Sequence, residues 1–239
     1  MRNIEEAIYD TMSSALLSGQ LSPGTPLREN PLADVFGVSR ERMRKILLRL
    51  GTQKLIELIP NRGAFVAAPS LAQARDIYES RRILEGGIVN HLASLIGSQD
   101  AQRLQQHLAA EQAALQRGDR AESVRLSAEF HMLLAQATGS HFIVQQMGEL
   151  VSRTSMLVAM FEPARSSHCA CEEHRSIYDA LMAGDSEAAT RAMRAHLSLV
   201  ETRLRPGAAA PSGNAVETLG ALWALRNAAD GAPHEAAGP

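Results

Sequence analysis

From Ser70 to about residue 204 the chain repeats apolar residues at helical spacing and shows hardly any strand signal, so this part must bury itself by packing helices on helices. The spacing predicts helices near 71–96, 100–117, 120–138, 140–160, 167–183 and 185–204, punctuated by Gly118, Gly139 and Gly184. Six segments with short connections suit an antiparallel bundle. Asp119, three residues before Glu122, is placed to cap the third. The Gly86-Gly87 pair falls inside the first, where it permits close packing or a bend.

The first 68 residues have another texture. Ile4, Ala7, Ile8, Met12, Ala15 and Leu16 mark a helix over 3–18 that should stop near Gly19, and GQLSPGTPL follows as a turn-rich connector. PLADVF makes a short helix ending at Gly37. Ser39 then caps a third helix, SRERMRKILLRL, with Met43, Ile46, Leu47 and Leu50 inward. KLIELI and GAFVAA are short strand-like runs separated by PNRG, which reads as a hairpin. The expected architecture is an N-terminal winged helix-turn-helix over 1–68, α with a small β wing, plus a C-terminal all-α antiparallel helical bundle over 69–205. Residues 206–239 are biased in composition and expected to be flexible. Within them 216–227 suits a short helix, whose Leu219, Leu222, Trp223 and Leu225 would pack against the body or a partner.

Charge separates the two parts. Residues 1–68 carry nine Arg/Lys against seven Asp/Glu, and residues 69–239 fifteen against nineteen, for a net charge of -2. That balance argues against a chain that coats nucleic acid or anionic membrane, while leaving room for a small basic face. The third helix supplies one: Arg40, Arg42, Arg44, Lys45 and Arg49 stand against Glu41 alone, with backbone donors near Ser39. A run of charge is equally a solvated helix face. The hairpin directly after it favours DNA, because Asn61-Arg62-Gly63 then forms a wing tip able to reach a minor groove or phosphate. No stretch approaches the roughly 20 apolar residues of a membrane span, so no membrane association and a cytoplasmic location are expected.

The phrases LSPGTPLRENPLADVFGVSRERMRKILLRL at 21–50 and NRGAF at 61–65 resemble the GntR family of bacterial transcriptional regulators. The resemblance implies double-stranded operator DNA as partner and Ser39, Arg40, Arg44, Arg62 and Gly63 as the contacting residues. Arg40 and Arg44 lie one helical turn apart, so they can address neighbouring groups in one groove. Glu41-Arg42 replaces the family's frequent Thr-Pro, Lys45 its frequent glutamate, and Asn30 its frequent arginine, so an operator sequence cannot simply be inherited.

The remainder resembles the FCD effector-binding and dimerisation domain of the FadR-like branch, on YESRRILE at 78–85, EFHMLLAQATGS at 129–140, EEHRSIYDALMAGDSEAA at 172–189 and MRAHL at 193–197. It implies a homodimer with an effector site and a divalent metal held by His131, His174 and His196; a small carboxylate that chelates the metal and meets Arg81 is the expected effector controlling DNA binding. The family's carboxylate ligand falls on Ser127, a weak donor without charge, which leaves zinc or nickel more attractive than manganese. Each histidine also sits on a largely apolar face of a different helix. Three such faces converge either on a metal or on an unmetallated polar pocket. Arg81 offers a planar fork for an effector carboxylate, or else pairs with Glu85 at the surface; Tyr78 and Ser127 complete the expected effector site.

HCACEEH, residues 168–174, holds the chain's two cysteines, Cys169 and Cys171, and imitates a four-ligand site. A helix cannot turn all four side chains to one ion; only Cys171 shares a face with His174, and it is read as a small buried side chain in preference to a ligand. Two further functions compete. A metal-dependent hydrolase lacks a general base in register, since Glu129 and Glu173 point off the histidine faces. A protein-interaction module would use the winged part for packing alone.

Overall fold

The computed structural model describes residues 3–68, 70–162, 170–205 and 214–229. Helix α1 (Ile4–Leu17) is capped by the Asn3 side chain and buries Ile8, Met12 and Leu16. After β1 (Pro26–Leu27) come α2 (Glu29–Phe36) and α3 (Arg40–Thr52). Gly37 joins them at φ 64, a left-handed turn that L side chains resist, and Ser39 caps α3 by accepting from the Arg42 N–H. Strands β2 (Ile56–Ile59) and β3 (Gly63–Val66) pair antiparallel with Leu58 opposite Ala64. The expected winged helix-turn-helix is present, with Asn61 in the turn at φ 60.

One element departs from expectation. The connector read as plain turn contributes β1 as a third strand, giving the sheet order β1-β3-β2. The Gly24 N–H bonds the Val66 carbonyl and the Val66 N–H bonds that of Thr25, both at 2.9 Å, and the edge position tolerates the missing Pro26 donor.

Helices α4 (Leu71–Leu92), α5 (Ser98–Gln116), α6 (Arg120–Ala137), α7 (His141–Phe161), α8 (Ala170–Met182) and α9 (Ser186–Arg203) form the bundle. Asp119, Ser140 and Asp185 cap α6, α7 and α9 by accepting backbone N–H groups three residues on. Helix α4 stops four residues before the expected 96, where the Leu95 N–H turns back three residues to the Leu92 carbonyl instead of four. The first residues of the helix expected over 167–183, with His168 and Cys169, lie outside the described residues.

Two apolar cores result. One gathers Ile8, Met12, Leu32, Phe36, Met43 and Leu50 of the winged part; the other gathers Tyr78, Phe130, Leu134, Met147, Ile177 and Met193 of the bundle. They meet at α6 and α7, whose Val124, Met156 and Met160 belong to the winged core. The approach is tight: Gly19, at φ 71, leaves only 2.8 Å between the position of an added Cβ and the Ala159 carbonyl oxygen.

Flexibility expected over 206–239 does not extend to Ala215–Ala229, which form α10 against α1 and α2. Leu219 is fully buried there and Trp223 meets Phe36 edge-on at 5.2 Å, so apolar burial holds the helix in place. Residues 206–213 and 230–239 lie outside the described residues. Among the described residues, no helix is long and apolar enough to cross a membrane.

Candidate functional site

The five cations of α3 divide by what they touch. Arg49 bonds Glu6 at 2.7 Å and covers the Tyr9 ring at 3.8 Å, and Arg42 lies 3.6 Å from Glu5, so both lean on α1. Lys45 pairs with Glu41 of its own helix at 3.8 Å. Arg40 and Arg44 instead face Glu29 of α2, at 2.7 and 4.0 Å, with side chains 70% and 68% exposed. Pairs this exposed are worth about 0–1 kcal/mol, so a phosphate or base edge can displace Glu29 at little cost. Arg62 is exposed on the wing, 5.6 Å over the Phe65 ring, and Gly63 beside it has φ 100. The Ser39 hydroxyl is engaged as the helix cap.

The second constellation is buried. His131 of α6, His174 of α8 and His196 of α9 bring one ring nitrogen each within 4.8 Å of one another. The His196 Nε2 lies 3.2 Å from that of His131 and 3.3 Å from that of His174. Each Nδ1 faces a carboxylate: Glu85 at 2.5 Å for His131, Glu111 at 2.9 Å for His174, and Glu173 at 2.7 Å for His196. An ionised carboxylate only accepts, so each Nδ1 carries the proton and each Nε2 presents a lone pair. Three lone pairs then converge where they cannot bond one another.

A cation relieves that arrangement. Three imidazoles on one tetrahedral zinc, with Zn–N near 2.0–2.1 Å, stand about 3.3 Å apart, which matches the two separations above. Carboxylates behind the ligating rings are what a divalent metal needs to fix the tautomer. The residues present therefore fit a metal held by His131, His174 and His196. Cys171 is no part of the cluster; its thiol lies 3.8 Å from Glu111, and burial pushes it up to about 11.

The carboxylates escaped the sequence reading. Glu85 was placed only as an Arg81 partner, and Glu111 lies 63 residues from His174 with no periodic signal to link them. Glu173 does point away from His174, as expected, but its destination is His196 and not solvent. It is therefore held as a support for a ligand, with Arg203 on its other oxygen.

A cavity of about 70 Å³ opens beside the histidines, lined by Tyr78, Arg81, Ser127, His131, His196 and Arg203 among others. It has room for ordered water or for a small molecule. Arg81 is 4% exposed, so the surface alternative for it is excluded; its pair with Glu85, at 2.5 Å, is itself buried. Its Nη1 donates to the Thr154 hydroxyl at 2.8 Å. Its Nη2 and the Tyr78 hydroxyl are buried without hydrogen-bond partners among the described residues. Such groups cost about 1–3 kcal/mol each unless something else satisfies them. Ser127 lines the same cavity, half-buried, one turn before His131.

Burial keeps the His131 and His196 rings neutral. Burial would raise the Glu85 carboxyl, but Arg81 and His131 outweigh it and hold it at about 2. Burial lowers His131 to about 4 against the pull of Glu85, and burial with His174 and His131 nearby sends His196 well below its usual value. A histidine depressed on folding binds its proton more readily when unfolded, so stability is lost as pH falls from 6.5 toward the folded value. The metal-free chain should thus show a urea midpoint that declines from about pH 6.5 toward pH 4, ahead of ordinary carboxylate titration. A midpoint flat between pH 7 and 5 would contradict neutral buried imidazoles.

Comparison with known proteins places each part of the chain in a family. Residues 4–66 match the family of bacterial regulatory proteins, gntR family, and residues 76–199 match the FCD domain. The chain is 27% identical over 203 residues to the HTH-type transcriptional repressor RspR of Escherichia coli K12, covering 84% of this chain and 89% of that protein. It is 28% identical over 206 residues to the HTH-type transcriptional regulator LutR of Bacillus subtilis, covering 77% and 93%. A crystal structure of a GntR regulator from Rhodococcus sp. RHA1 superposes with a TM-score of 0.71 at 25% identity, covering 83% and 95%.

Proposed function

The chain belongs to the gntR family of bacterial transcription regulators and carries its FCD domain, and from that premise we propose that a small carboxylate bound beside the three histidines controls its grip on operator DNA. The observation that carries this reading is the shared cavity: His131 and His196, which converge with His174, and an unpartnered guanidinium nitrogen of Arg81 line one space. A divalent metal, zinc or nickel, held by His131, His174 and His196 would supply a positive centre for an anion. Arg81 and Tyr78 then offer N–H and O–H donors to a carboxylate, and Ser127 leaves the remaining coordination positions to water or to that anion.

The DNA side of the proposal uses Ser39, Arg40, Arg44, Arg62 and Gly63. A homodimer would set two α3 helices into successive major-groove faces of a two-fold operator, in the cytoplasm where the DNA is. Occupying the operator blocks transcription, so the proposed outcome is repression, relieved or enforced by the effector. The ligand acts only through different affinities for two placements of the winged domains.

Calorimetry on zinc-loaded protein with acetate, lactate, succinate and citrate tests the carboxylate assignment. At least one should bind, and Arg81→Lys, which keeps the charge but loses the planar fork, should weaken it about tenfold. Equal affinity in the variant, or no binding of any of the four, would reject the assignment.

A further inference from the structure

We propose that α10 is a strap, a second covalent attachment that fixes the orientation of the winged domain on the helical bundle. The chain passes between the two cores at 66–71 and returns between Arg205 and Asn214. Both ends of the return are anchored. On the bundle side Leu204 is buried and the Arg205 N–H bonds the Phe161 carbonyl at 2.8 Å. On the winged side Leu219 is fully buried, Trp223 meets Phe36, and Arg226 donates to the Ala7 carbonyl at 2.9 Å and the Thr11 hydroxyl at 3.1 Å. Arg226 also lies 3.7 Å from Asp10.

Eight residues, 206–213, join these anchors, and nine Cα steps reach at most about 30 Å. A domain held by one linker can turn about it. A domain held at two separate helices retains only a hinge between them. The strap sits on α1 and α2 and leaves Arg40 and Arg44 of α3 exposed, so it restrains the domain without covering the DNA-reading face. Its root follows Arg203, a wall residue of the histidine cavity, so the restraint begins where the proposed effector binds. The helix lies beyond both family matches, which end at 66 and 199.

Hydrogen exchange on the full chain distinguishes a strap from a helix that merely completes the winged core. Lengthening 206–213 by twenty Gly/Ser residues keeps α10 at high local concentration on its site while slackening the attachment. Protection of α2 should stay unchanged, whereas amides of 156–161 and of the last turn of α1, where the domains touch, should exchange about tenfold faster. Leu219→Asp, which undocks the helix, should accelerate α2 as well as 156–161. Unchanged exchange at 156–161 with the long connector would reduce α10 to a piece of the winged core and overturn the strap. Unchanged exchange of α2 in Leu219→Asp would overturn the docking itself.

Discussion

Replacing Arg40 and Arg44 together with alanine should lower affinity for a cognate duplex by about two to three orders of magnitude, with each lost contact worth roughly 1–3 kcal/mol. The duplex is one selected by the wild-type chain from a randomised pool. The loss should fall on DNA and not on folding, because both side chains are mostly exposed and pair with Glu29 at the surface. If either contacts phosphate, the slope of log affinity against log salt should flatten by about one for that residue. Arg49→Ala provides the contrast. It removes the bond to Glu6 and the cover over Tyr9, and so should lower stability more than it lowers DNA affinity. Retained affinity in Arg40→Ala/Arg44→Ala, measured by fluorescence anisotropy on protein with wild-type circular dichroism, would take the reading role away from this face.

His174→Gln and His196→Gln should each weaken divalent-metal binding by more than about a hundredfold, since each removes one of three donors from a site that has no carboxylate ligand of its own. Equilibrium dialysis with zinc should give about one ion per chain for the wild type. Ser127→Asp makes the opposite test. It adds a charged oxygen donor one turn from His131, so it should tighten zinc and admit manganese more readily. Glutamine variants that bind zinc as the wild type does would leave the histidines as a polar core. Phe130, stacked on His174 with ring centroids 4.1 Å apart, would then account for their burial.

The helices of the bundle were legible because apolar spacing, polar caps and interrupting glycines recur along each segment. The turn from α2 to α3 was legible because Gly37 and Ser39 have local reasons to be there. β1 was not, since two residues at a sheet edge create no alternation to detect. The three histidines could be set on separate helical faces from spacing alone. Their convergence could only be expected, because it depends on how α6, α8 and α9 cross. The carboxylates behind them were missed for the same reason: Glu85, Glu111 and Glu173 each reach a histidine on another helix, at distances along the chain that carry no period. Likewise, spacing could name Leu219, Leu222, Trp223 and Leu225 as packing residues without saying that the winged core would receive the first three or that Leu225 would stay exposed.

Within α3, charge and spacing leave the five cations alike, and only the family resemblance singles out Arg40 and Arg44. Position on the helix sorted them in the structure: Arg42 and Arg49 meet the acidic residues of α1, while Arg40 and Arg44 face outward beside Glu29. Acidic residues far apart in the chain made that division, and only the packing of α1 against α3 revealed it.

The coupling between the two constellations is tested most directly by titrating the selected duplex with zinc-loaded protein, with and without a saturating carboxylate identified by calorimetry. The dissociation constant of wild-type protein should change by at least about fivefold, the lower end of ordinary allosteric coupling, and Arg81→Lys should need a higher carboxylate concentration to show it. A dissociation constant that stays the same with the carboxylate demonstrably bound would contradict control of DNA binding from the histidine cavity.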